Sequence, residues 1–290
     1  MTETTTHRGA WGFEAGDEIA PGLHALSLLG GGERYEAYLA FDDRLHYRVV
    51  VKVLRPDQVD DRSALRGLRR EADALERVDH PVVIRSSEAH LEGERPLLIL
   101  ELAEGPRLST DLRRFGPLDV EQAAPLGVEI SSAIHSIHRS GLVHLDVKPK
   151  NVILGAPPRL IDLSIARPIE DAARLDRAVG TDAYMAPEQC VPTDAGPIGP
   201  PADVWGIGVT LYEAVTGRLP FPRGVATTRR RPPSGSRRST PSRVRFRIRS
   251  RLHSSRRSSA RSPSTLPSVR LRPSWPKRSS RSSRRRRGFA

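Results

Sequence analysis

At 290 residues and 37% hydrophobic, the chain is long enough for one two-lobed domain or two small ones. Its single cysteine, Cys190, excludes an internal disulfide; with neither a signal peptide nor an apolar stretch long enough to span a bilayer in view, a soluble cytoplasmic protein is expected. The formal charge of +13 hides two unlike halves: residues 222–290 hold 23 of the 47 Lys and Arg and none of the 34 Asp and Glu, which leaves residues 1–221 with 24 basic against 34 acidic groups, near −10.

Residues 1–17 are expected to form a flexible N-terminus. Leu29-Gly30-Gly31-Gly32-Glu33-Arg34-Tyr35-Glu36-Ala37 follows. Glycines let a backbone close over phosphates, although such a run on its own is more often a simple hairpin turn, and only its place before the Lys52 strand favours the phosphate loop. Val49-Val50-Val51-Lys52-Val53-Leu54 is an apolar run broken by one lysine. An unpaired ammonium in a buried strand costs several kcal/mol, so Lys52 either needs an anionic partner or lies at the surface with its stem along the strand. Residues 69–78 are rich in helix formers. Leu97-Leu98-Ile99-Leu100-Glu101-Leu102-Ala103 reads as a buried strand running into a turn. Asp119 and Gln122 fit a capping box, Leu126, Ile130, Ala133, Ile134 and Ile137 recur at helical spacing, and Gly141 ends the helix. His135 and His138 on it read as ordinary helix residues.

The richest stretch is His144-Leu145-Asp146-Val147-Lys148-Pro149-Lys150-Asn151. It sets a carboxylate, an ammonium and a carboxamide at spacings that suit phosphoryl transfer. Asp162 then ends the apolar pair Leu160-Ile161, Ala186-Pro187-Glu188 closes a Gly180-Thr181 segment, and Asp203-Val204-Trp205-Gly206 opens a further apolar helix. In this order the motifs resemble those of bacterial, eukaryotic-like Ser/Thr protein kinases over roughly residues 18–221. They stand for the glycine loop, the V-A-I-K strand, the hinge, H-R-D-x-x-x-x-N, D-F-G and A-P-E.

The resemblance implies an α+β, two-lobed protein-kinase fold. An antiparallel β N-lobe would span residues 18–103, a mostly helical but incomplete C-lobe 104–221, and a disordered basic tail 222–290. It implies an ATP- and Mg2+-dependent enzyme that phosphorylates Ser or Thr hydroxyls of protein substrates, with Lys148 two residues after Asp146 favouring that class over the tyrosine class. Asp146 would be the catalytic base, Lys148 the cation on the γ-phosphate, and Asn151 with Asp162 the metal ligands. Lys52, paired with Glu71, would hold the α/β-phosphates. Leu29, Gly30, Gly32, Ala37, Val50, Glu101, Ala103 and Ile153 would complete the nucleotide site, Leu100 would be the gatekeeper, and the Asp203 carboxylate would anchor the catalytic-loop backbone.

Departures from the family pattern carry expectations of their own. Tyr35 stands where the third loop glycine belongs, Ala37 where a Val belongs, and Asp162-Leu163-Ser164 replaces D-F-G. Leu145 replaces the Arg that grips a phosphorylated activation loop, and residues 165–180 contain no Ser, Thr or Tyr. The two absences agree with an enzyme that needs no activation-loop phosphorylation.

Beyond Phe221 the sequence is Arg, Ser and Pro, with no apolar period to build the remaining helices that would pair an Arg with Glu188. A frame shift near Phe221 in a GC-rich gene explains a pattern that stops mid-domain; a genuine extension that binds polyanions is the other reading. A damaged lobe would expose Val209, Leu211 and Val215. Two rival functions follow, a non-catalytic nucleotide-binding scaffold or kinase remnant, and nucleic-acid binding through the tail.

Overall fold

The computed structural model describes residues 9–221. In chain order its strands and helices begin with β1 (Glu18–Ala20), β2 (Leu23–Gly31), β3 (Tyr35–Asp42), β4 (Tyr47–Leu54), α1 (Arg62–Arg77), β5 (Ser86–His90) and β6 (Leu97–Glu101). The six strands form one antiparallel sheet in the order β1-β2-β3-β4-β6-β5. Strand alternation decides what faces what. Val49, Val51 and Val53 of β4 join Tyr38, Ala40, Leu97 and Ile99 in a core on one face of the sheet. The same alternation turns Val50 and Lys52 to the opposite face, where α1 packs. One period of two thus resolves the apolar run that contains a lysine.

Helix α1 starts at an Asp61 cap, whose carboxylate accepts from the Ser63 amide at 2.6 Å. It buries Ala64, Gly67, Leu68, Glu71, Ala74 and Leu75 along one stripe. The second half is mostly helical: α2 (Leu108–Phe115), α3 (Val120–Arg139), α4 (Ile169–Ala173), α5 (Pro187–Cys190), α6 (Pro192–Ala195) and α7 (Pro200–Thr216). The short strands β7 (Leu142–Val143), β8 (Val152–Ile153), β9 (Arg159–Leu160) and β10 (Arg167–Pro168) pair as β7 with β10 and β8 with β9. The capping box at Asp119 and Gln122 is present in both directions, and Ile130, Ala133, Ile134 and Ile137 are buried as the helical period requires. The fold is the α+β kinase architecture expected from the sequence. Among the described residues no helix is long and apolar enough to cross a membrane.

Two expectations are corrected. Residues 9–17 of the N-terminal segment are held in place. Trp11 stacks on Phe13 with centroids 5.7 Å apart, Phe13 meets Tyr38 edge-on, and Trp11 Nε1 donates to the Leu54 carbonyl at 2.7 Å. These aromatics cover the outer face of the sheet, which would otherwise expose its valine-rich core. On α7, Val209 is 4% exposed and Leu211 packs against α3, so of the three residues expected to be bare only Val215 is, at 41%. The expectations for 222–290, an unfinished lobe and a disordered basic tail, lie outside the described residues.

Candidate active site

Between the sheet and the helical half lies a cavity of about 650 Å³, within the range of small-ligand sites. Every residue expected to bind nucleotide lines it, as do Lys148, Asn151 and Asp162. Its roof is the β2–β3 turn. Gly30 has φ +135, and a Cβ on Gly31 would lie 2.5 Å from the Tyr35 carbonyl, so both positions require glycine; Gly32 faces open space. At the hinge, Gly105 has φ +124, and a Cβ there would collide with the Leu154 carbonyl. The Glu101 carboxylate is held by Arg159 Nε at 3.2 Å.

Lys52 Nζ donates to Glu71 Oε2 at 2.7 Å and to Asp162 Oδ1 at 2.9 Å. Burial alone would push the Lys52 ammonium down; the Asp162 and Glu71 carboxylates outweigh it and hold it above its usual value. Asp162 is held well below the usual carboxylate range by Lys52 against the pull of burial. Glu71 is raised, because its burial outweighs the neighbouring ammonium. The site therefore keeps Lys52 cationic and Asp162 anionic. The surface-lysine reading of Lys52 is excluded, since its side chain is only 12% exposed.

Asp146 is bonded to two residues of the cavity lining, Lys148 and Asn151. Its Oδ2 accepts from Lys148 Nζ at 2.5 Å, and its Oδ1 accepts from the Thr181 hydroxyl at 2.7 Å. Lys148 Nζ also donates to Thr181 Oγ1 at 2.7 Å, closing a three-membered ring of contacts. Asn151 Nδ2 donates to the Asp146 carbonyl at 2.9 Å. Its carboxamide oxygen and the Asp162 carboxylate form a hard oxygen pair on the cavity wall, a donor set that suits a magnesium ion completing its shell with water and phosphate.

The backbone under Asp146 is fixed by Asp203. This buried carboxylate accepts from the His144 amide at 2.8 Å, the Leu145 amide at 2.7 Å and His138 Nε2 at 2.8 Å. His138 is thus more than an ordinary helix residue. Gln189, 1% exposed, donates to the carbonyls of Leu145 at 2.9 Å and Val179 at 2.8 Å, tying the catalytic loop to the activation segment. No sequence signal marks Gln189, whereas Thr181 could have been found from its place in the Gly180-Thr181 run before Ala186-Pro187-Glu188. Among the described residues no ion pair holds Glu188.

Leu145 is 3% exposed at φ +66, inside an apolar cluster with Val143, Ala172, Ala186, Ile198 and Ala202. Ile169, Leu175 and Val179 of the activation segment pack on the same cluster. Arg167 nearby is pushed down to about 10 by its own burial and by Arg70 and Arg177.

A family model described as the protein kinase domain matches residues 23–254. The chain belongs to the protein kinase family. The match passes the last described residue, Phe221. Relatives with this kinase domain include three named serine/threonine-protein kinases. PkaA of Streptomyces coelicolor is 39% identical over 186 residues, covering 61% of this chain and 34% of PkaA. PknB of Mycobacterium leprae is 34% identical over 203 residues, 67% of this chain and 32% of PknB. PrkC of Bacillus subtilis is 30% identical over 210 residues, 71% of this chain and 32% of PrkC. The kinase chain therefore spans about a third of the length of these relatives.

Proposed function

We propose that this kinase-family chain transfers the γ-phosphoryl group of ATP to Ser and Thr hydroxyls of proteins. The observation that carries the reading is one cavity lined by the Lys52–Glu71–Asp162 cluster together with Lys148 and Asn151, with Lys148 bonded in turn to Asp146 and Thr181.

In this reading the adenine lies between Leu29, Ala37, Val50 and Ile153, with its edge against the backbone from Glu101 to Ala103. Lys52 holds the α/β-phosphates, and Gly30 and Gly32 let the loop close over them. Magnesium held by Asn151 and Asp162 would offset the charge of the β- and γ-phosphates. Asp146 orients the acceptor hydroxyl and takes its proton as the new O–P bond forms and the β–γ bridging P–O bond breaks, releasing ADP. Lys148 screens the negative charge on the transferred group. Thr181, bonded to both, holds the Asp146 carboxylate and the Lys148 ammonium together. Consumption of ATP supports a cytoplasmic location for the reaction.

The activation segment docks through Leu145 and its apolar neighbours, which supports activity without activation-loop phosphorylation. Phosphoamino-acid analysis of an acceptor protein tests the reading: label is expected on Ser and Thr and not on Tyr. Mass spectrometry tests the regulation, and activity that required phospho-Thr181 would contradict it. Residues 222–290 support a separate proposal on charge alone, that they bind polyanions non-specifically.

A further inference from the structure

Tyr35 fills the place of the third loop glycine, and its surroundings give it a task. Alternation along β3 buries Glu36, Tyr38 and Ala40 on one face and turns Tyr35, Ala37 and Leu39 to the cavity. The Tyr35 ring lies over Lys52, with Nζ 4.6 Å from its centroid. Its hydroxyl reaches α1 and donates to the Ala64 carbonyl in a long bond of 3.4 Å. One turn further along, Gly67 is buried, and a Cβ there would lie 2.7 Å from the Tyr35 hydroxyl. A glycine inside a helix is unfavourable relative to alanine. Here it makes room for the phenol.

Ala64, Gly67 and Glu71 share one face of α1, so the residue that touches Tyr35 sits one turn from the carboxylate that binds Lys52. From outside, Arg55 Nε donates to the Gly32 carbonyl at 2.8 Å, and the Arg55 amide donates to the Arg34 carbonyl at 2.9 Å. The loop is therefore pinned on both sides. Burial raises the Tyr35 phenol, which keeps it a donor across the working pH range.

We propose that Tyr35 is a positioning residue that latches the phosphate loop to α1 and holds Glu71 against Lys52. The closed ion pair is thereby set by packing within the sheet-and-helix half. This deepens the kinase reading and rests on it: a chain with no Ser, Thr or Tyr in residues 165–180 keeps its catalytic lysine engaged by a local device.

The test pairs two readouts on the full chain. Tyr35→Gly restores the family's glycine. It is expected to lower kcat about tenfold while KM for ATP changes little, because geometry rather than binding is lost. Acylation of Lys52 by an amine-directed reagent, followed by mass spectrometry, should become several-fold faster in the same variant. Tyr35→Phe keeps the ring and is expected to fall between the two. Gly67→Ala should be strongly impaired with Tyr35 present and largely rescued by Tyr35→Phe, which removes the clashing oxygen. A Tyr35→Gly variant with higher kcat, or with unchanged Lys52 labelling, overturns the latch and makes the ring an obstruction. If the wild-type chain transfers no phosphate, the kinase reading fails on its own, and the labelling rates and the urea midpoints of the Tyr35–Gly67 cycle still decide the latch. Independent effects of the two substitutions on those midpoints would count against it.

Discussion

The Asp203 carboxylate satisfies two buried amides and one imidazole, and the backbone so fixed carries Asp146 two residues on. Asp203→Ala leaves the His144 and Leu145 amides without an acceptor and is expected to cost about 3 kcal/mol in urea unfolding. A loss below about 1 kcal/mol would mean that the amides find other partners. Leu145 is the second telling position. Leu145→Arg restores the family's residue, yet it would set a guanidinium among Val143, Ala172, Ala186 and Ile198. We expect it to destabilise the chain by about 3 kcal/mol or more, seen as a lower unfolding midpoint, and an unchanged midpoint would show the cluster to be loosely filled. At this scale the sequence is a good guide to groups that meet within one loop, such as Asp146, Lys148 and Asn151. His138 escapes it, because its partner lies 65 residues away on a different helix. Gln189 escapes it too, since a glutamine that binds two carbonyls looks like any other until the chain is folded.

Strand β4 and helix α1 meet through Lys52, and the pH response of their junction has a definite sign. Asp162 is depressed relative to its ordinary value of 3.8, so its stabilising contribution is present above that pH and is lost as pH falls below it. Asp162→Asn should therefore be less stable than wild type at pH 7, with the gap narrowing as the pH falls below the ordinary aspartate value; a gap independent of pH would mean that the carboxylate is not engaged by Lys52. At the other end of the fold, Asp119→Ala removes the α3 cap and is expected to cost about 1 kcal/mol. Helix α3 was legible in full, cap, stripe and stop, because all three signals are local. Strand β4 was legible as a strand, but the alternation that delivers Lys52 to the cavity needs the sheet to define its two faces. The Trp11–Phe13 cover was not legible at all. Its aromatics follow no period, and their partners, Tyr38 and Leu54, come from elsewhere in the sheet.

Across the molecule, charge and chemistry are divided. The described residues carry the cavity and both charged clusters, whereas the positive excess belongs to 222–290. Binding of the full chain to a single-stranded oligonucleotide is expected to weaken about a hundredfold or more between low and physiological salt, and salt-independent affinity would remove the electrostatic basis of that proposal. ATP with magnesium should raise the unfolding midpoint of the whole chain, by the equivalent of about 2.7 kcal/mol at a hundredfold excess over Kd. The central claim is phosphoryl transfer through Asp146. Its most direct test is magnesium-dependent transfer of labelled γ-phosphate from ATP to a generic acceptor protein, with wild type and Asp146→Asn compared at equal folded concentration. We predict transfer by the wild type, reduced about a thousandfold by the substitution. Transfer that survives Asp146→Asn, or none from a folded wild-type chain that binds ATP, would contradict the assignment.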